Sequence, residues 1–258
     1  MFKRLSIFLY GVVSYAIFFG TYLYAVGFVG NFGVPRTLDG SASASFASAL
    51  LVDLGLLGLF AIQHSVMARP AFKRWFTRLV PVSAERSTYV LLSSLLLIAM
   101  FAWWQPLGGV VWTVTDPTLR GVLWGCFAFG WLLVLVSTFL INHFDLFGLR
   151  QVWLQLMGRP YTDLAFGTPG FYRYVRHPLY VGWFFAFWST PTMTTTHLLF
   201  AVATTAYILI AIQLEERDLV TFHPEYAEYR DRVPMLIPST RRAGLVGDPV
   251  TPVVARVR

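Results

Sequence analysis

Among 258 residues there is one cysteine, and only 13% of the chain is charged. The single thiol, Cys126, cannot form a disulfide within the chain or build a cysteine metal site, and it sits in an apolar run where a small thiol packs as a hydrophobe. The shortage of charge excludes a soluble domain of this length, because 56% of the residues are hydrophobic and the mean hydropathy is +0.60. Lys3 and Arg4 precede an apolar run, but no small-x-small site followed by polar sequence comes after it, so the run is expected to remain as a helix and not to be cleaved. The five histidines form no i, i+4 pair with a carboxylate partner, so no metal is expected. Internal repeats, heptads and low-complexity segments are also missing.

What is there is long apolar sequence. The stretches 5–29, 46–67, 88–104, 122–141 and 181–214 are nearly free of charge, and each is long enough to cross about 30 Å of hydrocarbon at about 1.5 Å per residue. The last is about twice the length of one span and is interrupted by Ser189-Thr190-Pro191-Thr192, which favours a turn and a helical hairpin. The expectation is an all-α polytopic membrane protein with about six transmembrane helices, including a C-terminal hairpin. Trp103-Trp104 and Trp112 at helix ends fit interfacial belts.

The net charge of +7 follows the connecting segments and does not form a nucleic-acid surface. Arg69, Lys73, Arg74, Arg78 and Arg86 crowd the segment between the second and third spans, and 142–176 and the sequence after Arg217 are also basic. By the positive-inside rule these segments and both termini are cytoplasmic. Residues 1–141 read as a four-helix transmembrane unit. Residues 142–238 hold the polar chemistry, and 239–258 read as a poorly ordered basic tail whose arginines meet anionic headgroups.

The densest chemistry flanks the hairpin. Tyr172-Arg173-Tyr174-Val175-Arg176-His177-Pro178-Leu179-Tyr180-Val181-Gly182 precedes it; Glu215-Glu216-Arg217-Asp218-Leu219 and His223-Pro224-Glu225-Tyr226-Ala227-Glu228-Tyr229 follow. Both ends of a hairpin emerge on one side, so Arg176-His177 and Glu215-Glu216 must approach each other. Carboxylates, an arginine and aromatic rings together suit the ammonium, ribose diol, carboxylate and adenine of S-adenosylmethionine. The plainer alternative is a solvated helix end whose arginines only obey topology.

The run Arg176–Gly182, the hairpin and the two motifs after it resemble the C-terminal signature of the isoprenylcysteine carboxyl methyltransferase and phospholipid methyltransferase superfamily. This resemblance implies S-adenosylmethionine as methyl donor in a cytoplasmic pocket lined by Arg176, His177, Tyr180, Gly182, Glu215 and Glu216 and closed by Tyr226 and Tyr229. Asn142-His143-Phe144-Asp145-Leu146-Phe147-Gly148-Leu149-Arg150-Gln151, with Gln63-His64-Ser65-Val66-Met67-Ala68-Arg69-Pro70, resembles the bacterial methanethiol S-methyltransferase family from about residue 50 to 238. That narrower resemblance implies a small thiol acceptor, methanethiol, and dimethyl sulfide as product.

A thiol attacks as thiolate, and alkyl thiols have pKa values at or above the roughly 8.5 of cysteine, so a base is needed. His143, Asp145 and His64 are the candidates, with Arg150 lowering the thiol's pKa by its charge. The plainer readings are interfacial histidines and a structural Asp145–Arg150 ion pair. His197 is expected near the external turn and His223 in the turn before the last helix. Phe144, Phe147, Trp153 and Trp183 suit a small sealed chamber more than a groove for a prenyl or acyl chain. Other acceptors on this scaffold are isoprenylcysteine and phospholipid amines. Other functions are an NADPH-dependent membrane reductase and a non-catalytic membrane protein of denitrification-gene type. The expected partners are the thiol and membrane lipid, with no nucleic acid and no obligate protein partner.

Overall fold

The computed structural model describes residues 1–42 and 44–238. The tail expected over 239–258 lies outside the described residues. The described chain is helical almost throughout: α1 (Phe2–Gly30), α2 (Phe46–Ala68), α3 (Pro70–Phe76), α4 (Val82–Trp103), β1 (Val110–Thr113), α5 (Pro117–Leu140), α6 (His143–Leu146), α7 (Leu149–Leu156), α8 (Pro178–Trp188), β2 (Thr192–Thr194), α9 (Thr195–Phe222) and α10 (Glu225–Arg232). A single turn of 3₁₀ helix covers Gly170–Arg173. Capping fixes several starts: Ser45 Oγ accepts from Ser48 N–H at 3.3 Å, and Asp116 Oδ1 accepts from Leu119 N–H at 2.8 Å with Pro117 at the first helical position.

Among the described residues five helices, α1, α2, α4, α5 and α9, are long and apolar enough to cross a membrane. The expected hairpin is present, but it divides unevenly: α8 has 11 residues and α9 has 28. At about 1.5 Å per residue α8 rises about 16 Å, half a hydrocarbon thickness, so the expected sixth span is a short arm. The break falls at the expected place. Ser189 N–H makes the last helical bond, to Phe185 O at 3.2 Å, and Thr190 Oγ1 then donates to Thr192 O at 2.8 Å. Large side chains such as Leu51 and Ile62 on α2 stand 72% and 65% exposed, which is stable only where lipid is the solvent.

The short arm is held by close approach. α8 lies on α5 where Gly182 meets Gly130: a methyl group on Gly182 would stand 2.8 Å from Gly130 O and 2.8 Å from Val134 Cγ2. Small residues let two membrane helices pack backbone to backbone. The remaining interior is aromatic, with Phe28, Phe101, Trp104, Trp131, Phe187 and Phe200 in one cluster. Two buried hydroxyls are satisfied locally: Ser14 and Thr21 donate to carbonyls one turn back.

Alternating passage puts the start of α1, the end of α2, the starts of α4 and α8, and the ends of α5 and α9 on one face, termed the site face. On the opposite face β1 pairs antiparallel with β2, tying the α4–α5 connection to the hairpin turn. There His197 is buried, as a residue near that turn: its Nε2 lies 2.8 Å from Phe187 O and its Nδ1 lies 3.5 Å from Asp39 Oδ2.

Two alanine substitutions separate close approach from helix propensity. Gly182→Ala should lower the thermal midpoint in detergent, with an overpacking cost of about 1–3 kcal/mol. Gly125→Ala on α5, where a methyl group meets nothing within 4 Å, should leave the midpoint unchanged or raise it.

Candidate active site

The two clusters flanking the hairpin do meet on the site face. Glu216 accepts from Arg176 Nε at 2.7 Å and Nη2 at 3.3 Å, and from the Tyr226 hydroxyl at 3.1 Å, and its Oε1 lies 2.9 Å from His177 Nε2. Its side chain is only 9% exposed, so the carboxylate is stable there because charged and neutral donors surround it. Arg176 spends its remaining N–H groups on Arg230 O and Val233 O, at 2.9 and 2.6 Å. The chain after α10 is strapped to the start of α8 by Arg176 N–H to Pro234 O and His177 N–H to Met235 O, at 2.9 and 3.1 Å. Tyr229 donates to Tyr172 O at 2.6 Å, holding the 3₁₀ turn. Burial first, then the Glu216 charge, pushes the Tyr226 hydroxyl well above the usual tyrosine range, and burial does the same to Tyr229, so both remain donors.

Glu215 faces different company. Its only hydrogen-bond partner among the described residues is Tyr180, whose hydroxyl donates to Oε2 at 2.9 Å. Tyr89 on α4 and Tyr207 on α9 lie within electrostatic reach of it. Behind burial, the Glu215 charge also helps hold the Tyr172 hydroxyl above its usual range. The end of α2 is docked on α9 beside this group: Arg69 donates to Asp218 at 2.8 Å, and Ser65 Oγ donates to the Tyr207 hydroxyl at 3.2 Å. His64 faces α4, with the Tyr89 hydroxyl 2.9 Å from Nε2 and Ser93 Oγ 3.3 Å from Nδ1. Glu215, Tyr180, Tyr207, Tyr89 and His64 therefore form one group.

His143, Asp145 and Arg150 form a separate group. His143 is 2% exposed, stacked on Phe139 at 4.1 Å, with Tyr15 hydroxyl 2.8 Å from Nε2 and Thr138 Oγ1 2.8 Å from Nδ1. Both ring nitrogens are thus taken, and burial holds its pKa below the usual histidine range. Arg150 pairs with Asp145 at 2.9 Å, donates to Thr162 O and Oγ1 at 2.9 Å each, and covers the Tyr161 ring. Among the described residues no hydrogen bond or ring contact links this group to His64 or Glu216. Gly182 faces Gly130 and Val134 on α5. His223 sits beside α10, stacking obliquely on Phe166.

Tyr89 and Tyr207 escaped the sequence reading. A phenol inside an apolar span is a weak signal, and their neighbours come from helices far away in sequence. Among the described residues no group of three or more histidine, cysteine or carboxylate side chains is placed to hold a metal ion.

The pattern of the isoprenylcysteine carboxyl methyltransferase family matches residues 131–221, from α5 to the end of α9. Over 92% of this chain and 93% of the relative, the sequence is 58% identical to a protein named methanethiol S-methyltransferase from Crocosphaera subtropica (strain ATCC 51142 / BH68). The chain belongs to the family of the methanethiol S-methyltransferases. A protein of the same name from Mycobacterium tuberculosis (strain ATCC 25618 / H37Rv) is 52% identical over 93% of this chain and 99% of its own. Methanethiol S-methyltransferase 2 of Bradyrhizobium diazoefficiens is 53% identical over 92% of each. No solved structure matches. This chain is accordingly an integral membrane methyltransferase.

Two stability measurements probe the geometry. Glu216→Gln should cost about 3–5 kcal/mol in unfolding experiments in detergent, because it strands a buried guanidinium. The neutral His143 adds a pH dependence. Its folded pKa is lowered, so the unfolded chain binds the extra proton first; stability is full above the unfolded value of about 6.5 and is lost as pH falls from there towards the folded value. His143→Asn should flatten that acidic limb.

Proposed function

We propose that this chain methylates methanethiol with S-adenosylmethionine as donor, releasing dimethyl sulfide and S-adenosylhomocysteine, at the cytoplasmic face of a bacterial inner membrane. Residues 142–238 act as the cofactor-binding region, carried on the four-helix unit of residues 1–141, and the basic 68–87 connection supports the orientation. The observation that carries the reading is Glu215, a half-buried carboxylate whose one hydrogen-bond partner among the described residues is Tyr180, set among phenols that would line a chamber for the donor. It is suited to an ammonium or a ribose diol, and the rings to adenine. The names of the relatives supply the acceptor.

S-adenosylmethionine, when bound, supplies a methyl group made electrophilic by its sulfonium. Glu215 and Tyr180 bind it. Arg176, His177, Glu216 and Tyr226 satisfy one another and act as positioning residues, fixing the floor of the chamber, while Tyr229 fixes the 3₁₀ turn beside it. We assign the base to His64 and not to His143, because the Tyr89 hydroxyl that contacts His64 lies within electrostatic reach of Glu215, whereas His143 contacts Tyr15 and Thr138 in a separate group. Asp145 and Arg150 hold the segment 142–163. The thiol proton passes to His64, directly or through the Tyr89 hydroxyl. The thiolate sulfur would take the methyl group as the sulfonium carbon–sulfur bond breaks, that bond's electron pair staying with the departing sulfur. Alignment of the three atoms supplies much of the acceleration. Phe144 and Trp153 stand 52% and 50% exposed, so they seal no chamber; the phenols around Glu215 enclose the small space instead.

The test is headspace gas chromatography on purified protein in vesicles, supplied with methanethiol and S-adenosylmethionine. Dimethyl sulfide should accumulate above an empty-vesicle control, and its absence removes the acceptor assignment. His64→Asn should lower kcat by about a hundredfold with a smaller change in the donor's KM. Wild-type kcat for His64→Asn, alongside a loss for His143→Asn, would return the base to His143.

A further inference from the structure

A cavity of about 370 Å³ opens on the site face between α3, the start of α4, α7 and the segment 159–163. No step of the proposed reaction uses it. Lys73, Arg86 and Arg159 line it against Glu85 and Asp163, three cations to two carboxylates, one positive charge in excess. Among the described residues no ion pair joins those cations to either carboxylate. Burial, with the Arg86 charge next, holds the Lys73 ammonium below the usual lysine range, so the cations crowd one another.

Two further features ask for a guest. α4 starts here at Pro81 without a side-chain cap, leaving first-turn N–H groups beside Val82 and Ser83, both in the lining. Gln151, 9% exposed, donates through Nε2 to Asp145 O at 3.0 Å, but its Oε1 is buried with no partner among the described residues and calls for a donor. The rim is apolar. Val82 lines the cavity and is 70% exposed, with Leu79 and Trp75 also exposed beside it, a surface suited to acyl chains at a membrane interface.

We propose that this cavity holds the headgroup of an anionic phospholipid of the phosphatidylglycerol class. The phosphodiester meets Lys73, Arg86, Arg159 and the α4 N-terminus, and the glycerol hydroxyls donate to Gln151 Oε1 and to the carboxylates of Glu85 and Asp163. One negative charge matches the excess. Phosphatidylcholine brings no donor for Gln151, and phosphatidylethanolamine, a zwitterion, leaves the excess charge unmatched. A lipid seated here ties α3, α4 and α7 together at the headgroup level, apart from the reacting atoms.

Native mass spectrometry of the full chain in detergent, with equal amounts of phosphatidylglycerol, phosphatidylethanolamine and phosphatidylcholine, tests the site. The phosphatidylglycerol adduct should exceed the phosphatidylcholine adduct by about fivefold or more, and Arg159→Gln, an exposed position, should remove about fivefold of that preference. Asp163→Asn, also exposed, removes one of the two carboxylates and keeps an acceptor oxygen, so phosphatidylglycerol binding should hold or strengthen; weakened binding would overturn the charge argument. Equal adducts, or a dominant phosphatidylethanolamine adduct, overturn the proposal. Displacement by soluble glycerol 1-phosphate at the lipid's own concentration overturns the lipid source and leaves a phosphoester site. Displacement by S-adenosylmethionine assigns the cavity to the methyl donor and also overturns it.

Discussion

One buried carboxylate organises the site face. Glu216 sits near the end of a long membrane helix, and a charge there is tolerated only with its donors in place. Those donors come from the start of α8, through Arg176 and His177, and from α10, through Tyr226. Because Arg176 also binds the carbonyls of Arg230 and Val233, the chain beyond α9 must fold back over the hairpin. The ionic knot therefore dictates where α10 lies and which surfaces of α8 and α9 remain open.

Neighbouring residues on a helix point about 100° apart, and Glu215 and Glu216 divide their work accordingly. Glu216 turns into the knot and is fully engaged. Glu215 turns towards Tyr180, Tyr89 and Tyr207 and keeps capacity to spare. A methyl transfer to a small thiol needs little from the protein beyond alignment, exclusion of water and a route for one proton. On the proposed reading, the phenols around Glu215 and His64 supply those elements, whereas the Arg176–Glu216 knot satisfies its own members.

Much of this was legible in the sequence because a hairpin returns the chain to its starting face. Arg176, His177, Glu215 and Glu216 could be expected together from that alone, and the apolar runs located the five long helices. The uneven hairpin was not legible: Ser189–Thr192 marked the turn, but only the Gly130–Gly182 contact explains how an 11-residue arm is held. Gly182 for the same reason reads as motif in the sequence and as helix packing in the fold. His143 looked reactive at a helix exit, yet Tyr15, from a helix more than a hundred residues earlier, occupies its Nε2. The Asp145–Arg150 pair took its plainer reading, since Thr162 and Tyr161 complete a loop anchor. Tyr89 and Tyr207 were hidden because their roles arise from contacts between α2, α4 and α9 that no local spacing encodes.

The proposed donor site rests on the contrast between Glu215, whose one hydrogen-bond partner among the described residues is Tyr180, and the fully engaged Glu216. Isothermal calorimetry of S-adenosylmethionine with the purified protein in detergent tests it most directly, comparing wild type, Glu215→Ala and His143→Asn. The wild type should bind, Glu215→Ala should lose about tenfold or more from one removed charged hydrogen-bond partner, and His143→Asn should keep wild-type affinity. Wild-type affinity in Glu215→Ala, or no binding by the intact protein, would contradict it.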